Sequence, residues 1–341
     1  MMQISFESDE QRFQQLAGPW SRLLEQSVTR APFLLHAFQF NWWQTRGGGE
    51  WPRSELMLAL GHEPDGELAA IAPLFLTRNS ADQPVLMLVG SIEIADVLDL
   101  IGSRDALERF VPALLEKLEQ ETPERGSCLD LYNLPEESIT RGLLRTAAEN
   151  RGWMVEEQRL QPSPFVALGV SWDEYLENLD SKQRRELKRK MRRADSYPAR
   201  VEWRLSKADG TLRDDVDAFL DLMALDPEKR EFLTETMRAQ FHALAQAAAD
   251  GGWLQLAMLE VGGQPAFAYF NFDYDGKLWV YNSGFDPDHA SLSPGWVLMG
   301  HLIQWAIDHQ RREVDFLRGE EEYKYRLGGV DRWVTRIVLN R

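Results

Sequence analysis

Two hydrophobic periods alternate along the chain. At 9–27, Phe13, Leu16, Trp20, Leu23 and Leu24 fall on one helical stripe, and the aromatic-rich 33–45, with Phe38, Phe40, Trp42 and Trp43, reads as a second packing helix. Stretches at 55–60, 67–76 and 84–90 predict three strands, the first two joined by a HEPDG turn. A helix at 104–120, a strand at 128–131, a helix at 136–150 and a strand at 153–160 follow, and QPSPF punctuates the chain before a strand at 166–170. The second half repeats the order. Helical patterns at 172–194, 214–225 and 231–249 precede strands at 253–261, 264–274 and 277–283, whose Gly262-Gly263 and Asp275-Gly276 turns are strong hairpin signals. A loop, a helix from Pro294, a short apolar strand at 314–317, a polar loop and a strand at 333–339 complete the chain. The repeated order predicts two similar mixed α/β domains.

Chemistry concentrates in 277–329. Ser293-Pro294-Gly295 opens a helix with Ser at the cap and Pro at the first helical position. A helix N-terminus offers free N–H donors and a partial positive charge, and Gly295 lets a phosphate approach the backbone; the plain alternative is a capped surface helix. Asp315 stands inside an apolar strand, where desolvation raises a carboxyl pKa toward that of a useful base. Arg318, Gly319, Glu320, Glu321, Glu322, Tyr323, Lys324, Tyr325 and Arg326 then put more kinds of polar group into one turn than structure alone requires.

The run KQRRELKRKMRR at 182–193 holds one acid, while Leu176, Leu179, Leu187, Met191 and Ala194 share a face, so this helix packs and shows its bases to solvent. It reads either as a solvated face or as a contact for CoA phosphates, an anionic substrate or a tRNA acceptor end. The formal net charge of −16 over 341 residues argues against a general nucleic-acid binder. No apolar run reaches membrane-spanning length and the N-terminus lacks a basic-then-apolar signal pattern, so the expectation is a cytoplasmic protein without membrane insertion. Six scattered histidines suggest no metal site. Cys128, the single cysteine, lies in the apolar SCLDLYNL and reads as a small core residue. Gly47-Gly48-Gly49 lacks the Lys-Ser/Thr of a phosphate loop.

The segments YNSGFDP, LSPGWVL and DFLRGEEEYKYRLG resemble the GNAT-like acetyltransferases of the CelD/BcsL cellulose-biosynthesis type, with their BioF2-like acetyltransferase domain, relatives of the Fem-type aminoacyl transferases. Glu322 stands where that family often has Pro, and 181–187 matches its Ser-Lys-x-Arg-Arg-x-Leu run. The resemblance implies an α/β (α+β) fold of tandem GNAT-like domains with mixed, largely antiparallel sheets. A degenerate domain at 1–165 would precede a catalytic one at 166–341, because the first half has Gly102-Ser103-Arg104-Asp105 where the second has the Ser-Pro-Gly turn.

The implied activity moves an acetyl or other acyl group from acyl-CoA directly to the amine or hydroxyl of a small-molecule or glycan acceptor, in polysaccharide or cell-envelope metabolism. Asp315 or Glu321 is the expected base, unranked, with Tyr323 protonating the thiolate and Lys324 and Arg318 steadying an oxyanion or an anionic acceptor. Ser283, Gly284, Ser293, Pro294, Gly295, Lys182 and Arg185 are expected around the cofactor, and Asn271, Tyr281 and Arg318 around the acceptor. Two other readings stand beside this one. A Fem-type transferase using aminoacyl-tRNA is disfavoured by the net charge and by the lack of room for a long helical arm. A silent GNAT-like binding module is disfavoured by the intact run at 315–324.

Overall fold

A computed structural model describes residues 2–122 and 126–341. The fold is mixed α/β, and the chain divides into two compact units: 1–161 with 333–341, and 162–332. The strand Val330–Asn340 therefore contributes mainly to the first unit, where 334–340 pairs antiparallel with Cys128–Pro135. The expected second domain over 166–341 includes this strand whole, whereas 333–341 falls in the first unit.

In the first unit, Gln3–Glu7, Leu58–His62, Leu68–Ala72 and Ile101–Gly102 form one sheet. A second ladder runs from Glu55–Leu56 through Leu74–Arg78 and Pro84–Leu88 to Cys128–Pro135, the last pair parallel. The strand expected at 67–76 is broken at Pro73, which has no N–H to give a ladder, and its two pieces join different sheets. The helix expected at 9–27 is two, Glu10–Gln15 and Ala17–Glu25, meeting at Leu16. Cys128 is half-buried, and burial pushes its thiol up to about 11, an inert state.

In the second unit, Val201–Leu205, Leu254–Val261, Gln264–Tyr274 and Lys277–Phe285 form an antiparallel meander. Lys277–Phe285 then pairs parallel with Glu313–Asp315, which pairs antiparallel with 165–167. The helix Pro294–Asp308 makes the crossover between the parallel pair, burying Val297, Leu298, Leu302, Ile303 and Ala306 against the sheet. The basic segment is capped at Asp180, whose carboxylate accepts from the Lys182 N–H, so the expected single helix at 172–194 is two, Trp172–Asn178 and Ser181–Asp195. Ser181–Asp195 lies close along Pro294–Asp308 at Gly300, where a Cβ would meet the Met191 sulfur at 2.9 Å. Helices Leu212–Met223 and Glu235–Asp250 belong to the same unit, with a short helix, Pro227–Phe232, between them that the hydrophobic pattern did not announce.

Candidate active site

The parallel ladder joins only 277–279 to 313–315. Lys277–Phe285 continues, and the chain after Asp315 keeps to its other neighbour: the Phe316 N–H donates to the Pro164 carbonyl at 2.8 Å and the Gly319 N–H to the Pro162 carbonyl at 3.0 Å. The pairing of the two parallel strands ends at Trp279 and Asp315, and the region beyond, towards the start of the crossover helix, is the candidate opening.

Asp315 shapes the turn out of the short strand. Its Oδ1 accepts the Leu317 N–H at 2.9 Å, holding Leu317 at a φ of 58°. The side chain is 3% exposed, and burial raises its carboxyl to about 6 although Arg332, 3.5 Å away, opposes the shift. Arg332 also pairs with Glu313, which Lys277 meets at 3.0 Å. Asp315 thus belongs to a buried ion-pair network behind the strand end.

Lys324 is fixed in the same way. Its Nζ donates to the carbonyls of Leu317, Arg318 and Gly319 at 3.1, 2.7 and 3.2 Å and lies 2.9 Å from the Glu321 carboxylate. With the side chain 2% exposed and its donors engaged, Lys324 holds the loop rather than presenting a charge to a ligand. The expected polar loop contains one helical turn, Glu322–Arg326, begun by Glu321. Glu321 is 58% exposed, and its carboxylate folds over Gly319, where a Cβ would meet Oε2 at 2.4 Å. Arg318 is half-buried.

Tyr323 packs edge-on against Phe316, with ring centroids 6.0 Å apart, and its hydroxyl is held well above the ordinary phenol value by burial and then by Glu321. Tyr269, a fully enclosed phenol, donates toward the Gly295 carbonyl at 3.4 Å and is shifted the same way by burial and then by Tyr323. Two protonated phenols therefore connect the polar loop to the start of the crossover helix.

That start differs from the sequence expectation in two respects. Ser293 adopts a left-handed φ of 56° and makes no side-chain cap; its hydroxyl instead accepts from Arg193 Nη2 at 3.2 Å. Gly295 is required by packing, since a Cβ there would meet the Phe267 ring at 2.8 Å. Gly284 likewise serves close approach, with the Met223 amide nitrogen 2.6 Å from a notional Cβ. Pro294 supplies the first helical position as expected.

The bases that reach this helix start are not the expected ones. Lys182 and Arg185 are exposed on the outer face. Arg193 touches Ser293 and leaves its Nε buried with no hydrogen-bond partner, while the Lys190 ammonium sits 4.6 Å from the centre of the Trp296 ring. Burial lowers the pKa of Lys190. A signal for both was present: Lys190 follows the buried Leu187 by three, and Arg193 adjoins the buried Ala194, so they flank the packed stripe.

Two expected acceptor contacts have partners within the protein. Asn271 is fully enclosed, and its amide donates to Gln255 Oε1 across the strands at 2.9 Å. Tyr281 occupies a bulge and packs with Phe241, Phe270 and Phe272. Ser283 is engaged by a residue without a sequence signal, Lys229, which donates to the Ser283 carbonyl at 2.7 Å, and both line a cavity with Met223, Pro227 and Phe285. Burial lowers the pKa of Lys229, against the pull of Asp226 and Glu321. Among the described residues no group of three His, Cys, Asp or Glu side chains converges as for a metal, and no helix is long and apolar enough to cross a membrane.

Known structures share this architecture. FemX has a TM-score of 0.66 at 10% identity, covering 98% of this chain and 96% of its own. A conserved protein of unknown function from Bacteroides thetaiotaomicron VPI-5482 has 0.63 at 15%, covering 99% and 100%. A tandem GNAT protein from the clavulanic acid biosynthesis pathway has 0.51 at 12%, covering 99% and 98%. At such identities the likeness is one of fold. No curated protein sequence matches. Residues 181–325, which include Lys190, Arg193, Ser293, Asp315, Glu321, Tyr323 and Lys324, match the family model of an acetyltransferase (GNAT) domain, and this match supports an acyltransferase.

Proposed function

We propose that the protein is an acyl-CoA-dependent transferase of the CelD/BcsL, BioF2-like kind, which moves an acyl group to an amine or hydroxyl acceptor. The observation that carries this reading is the parted parallel pair, Lys277–Phe285 and Glu313–Asp315, with the crossover helix starting beside the gap. The donor's pyrophosphate fits the helix start chemically: the Arg193 guanidinium with its unpartnered Nε, the Lys190 ammonium and the Ser293 hydroxyl supply donors and positive charge. Gly284 and Gly295 act through packing, and Lys182 and Arg185 have no part in the contact.

Of the two carboxylates considered as base, Glu321 is favoured. It is exposed beside the gap and oriented by Lys324, whereas Asp315 is committed to Leu317 and Arg332. In the proposed reaction the acceptor nitrogen or oxygen attacks the thioester carbonyl, its bond to carbon forms as the C–S bond breaks, and its proton passes to Glu321. The thiolate takes a proton from Tyr323, which burial keeps protonated. An aminoacyl-tRNA donor remains the weaker reading for a chain of net charge −16.

The test is calorimetric titration with acetyl-CoA, followed by thiol release in the presence of amines. Saturable 1:1 binding is expected, and its absence would overturn the reading.

A further inference from the structure

Strand Lys277–Phe285 and the end of helix Leu212–Met223 meet closely at Gly284. A Cβ there would lie 2.6 Å from the Met223 amide nitrogen and 2.7 Å from the Leu222 Cβ. The chain then passes into the short helix Pro227–Phe232, begun by Asp226 with Pro227 in the first position. These segments line a cavity of 230 Å³. Leu222, Met223, Leu225 and Phe285 give it apolar walls, and Lys229, Asp226 and Ser283 its polar groups.

Lys229 is the cation of this lining, and it is half-buried. Its Nζ donates to the Ser283 carbonyl at 2.7 Å and stands 3.5 Å from the Ser283 hydroxyl. An ammonium has three donors, so the carbonyl takes one and the more distant hydroxyl at most a second. Among the described residues no carboxylate stands at ion-pair distance from Nζ. Asp226 gives one oxygen to the Glu228 and Lys229 N–H groups, at 2.9 and 3.3 Å. A cation drawn out of water without a counter-charge is costly, and an anion entering the cavity offsets that cost.

We propose that this cavity binds a small monocarboxylate with a short apolar chain, its carboxylate on the Lys229 ammonium and the Ser283 hydroxyl and its chain against Leu222, Met223 and Phe285. One ammonium balances one negative charge, and Asp226 nearby repels a second, so a carboxylate fits where a phosphate dianion does not. The volume equals that of about eight waters, room for a short chain only. The close approach at Gly284 sets helix end against strand, so the walls stand in place before the ligand arrives and little ordering opposes binding. Lys190, Arg193 and Ser293 have no part in this lining. The site needs no acyl donor and stands apart from the transferase reading.

The test titrates the whole chain, without CoA, with acetate, butyrate, hexanoate and the matching amides at constant ionic strength, read by ligand-observed NMR, with inorganic phosphate as a further probe. The acids should bind saturably with Kd on the order of millimolar or tighter, each added methylene tightening binding by up to about fourfold until the cavity is full. The amides should bind at least about tenfold more weakly, and phosphate no better than acetate. Lys229→Met should abolish the preference for acid over amide, which the loss of a purely structural lysine would not do. Leu225→Trp, at the exposed rim, leaves the ammonium in place and should weaken hexanoate more than acetate. That variant keeps the test decisive if Lys229→Met fails to fold. Absence of binding, amides that bind as well as the acids, or phosphate that outcompetes them would overturn the proposal. So would an acid preference that survives in Lys229→Met, or hexanoate binding unchanged in Leu225→Trp.

Discussion

Lys324 and Glu321 stand 2.9 Å apart, one buried and one exposed, and the same ammonium holds the carbonyls of Leu317, Arg318 and Gly319. A buried cation thereby sets the position of a carboxylate at the cleft and the path of the loop that parts the two strands.

Replacing that cation tests the arrangement. Lys324→Met would leave three main-chain carbonyls without their donor. Each lost hydrogen bond costs about 1 kcal/mol, so a loss of roughly 3 kcal/mol in urea denaturation is expected. If Lys324 contacted only a ligand, stability would stay within about 0.5 kcal/mol of the parent and ligand affinity alone would fall.

Asp315 makes stability depend on pH with a definite sign. Its carboxyl titrates at about 6 in the folded chain, above the usual value, chiefly through burial. The folded state therefore holds this proton more tightly than the unfolded one. The stabilisation is fully present below about pH 4, the unfolded pKa, and is lost as pH rises through 6, a change on the order of 3 kcal/mol. Asp315→Asn retains an acceptor for the Leu317 N–H and removes the titration. The stability difference between variant and parent, from urea curves at pH 4.5 and 7, should shift in favour of the variant at the higher pH. A difference that does not change with pH would show that Asp315 ionises normally in the fold.

The chemistry should separate the two carboxylates. Glu321→Gln is expected to lower single-turnover thiol release by about a hundredfold or more, the cost of losing a general base. Asp315→Asn should lower it by less than tenfold, since its effect is on the shape of the turn. Tyr323→Phe should fall between them by a factor that changes little with pH, since burial keeps the phenol protonated. The reverse order for the carboxylates would make Asp315 the base.

Much of this architecture could be read from the chain because it is locally encoded. The meander from Leu254 to Phe285 declares itself through alternation and two Gly-containing turns, and the crossover helix through Pro294 and its apolar stripe. Val201–Leu205 is hard to read from the chain because a short strand with alternating charges, VEWRL, looks like solvated chain. The polar run at 315–324 was recognisable as a cluster, but its division of labour was not. Whether Lys324 turns inward depends on where three carbonyls lie, and Asn271 is occupied by a partner, Gln255, on another strand. Lys229 gave no local sign at all, because only the packing of its helix brings it to Ser283.

The last prediction concerns which bases hold the donor's phosphates. All the basic residues of Ser181–Asp195 look equivalent as a list, yet the helix offers only part of its circumference to the crossover helix. Lys182 and Arg185 are on the outer face, whereas Arg193 touches Ser293 and keeps a buried Nε without a partner, and Lys190 lies over Trp296. An unpartnered guanidinium nitrogen is costly unless something completes it, and a phosphate oxygen is a suitable acceptor. Arg193→Met should therefore weaken CoA binding by roughly ten- to hundredfold in calorimetry, and Lys190→Met by a smaller factor. Added salt should weaken the parent more than the Arg193 variant, because the variant has already lost the charge being screened. Lys182→Gln with Arg185→Gln should change affinity by less than about threefold, as expected for exposed charges. If that double variant lost binding and Arg193→Met did not, the phosphates would lie on the outer face of the basic helix, away from the parted strands.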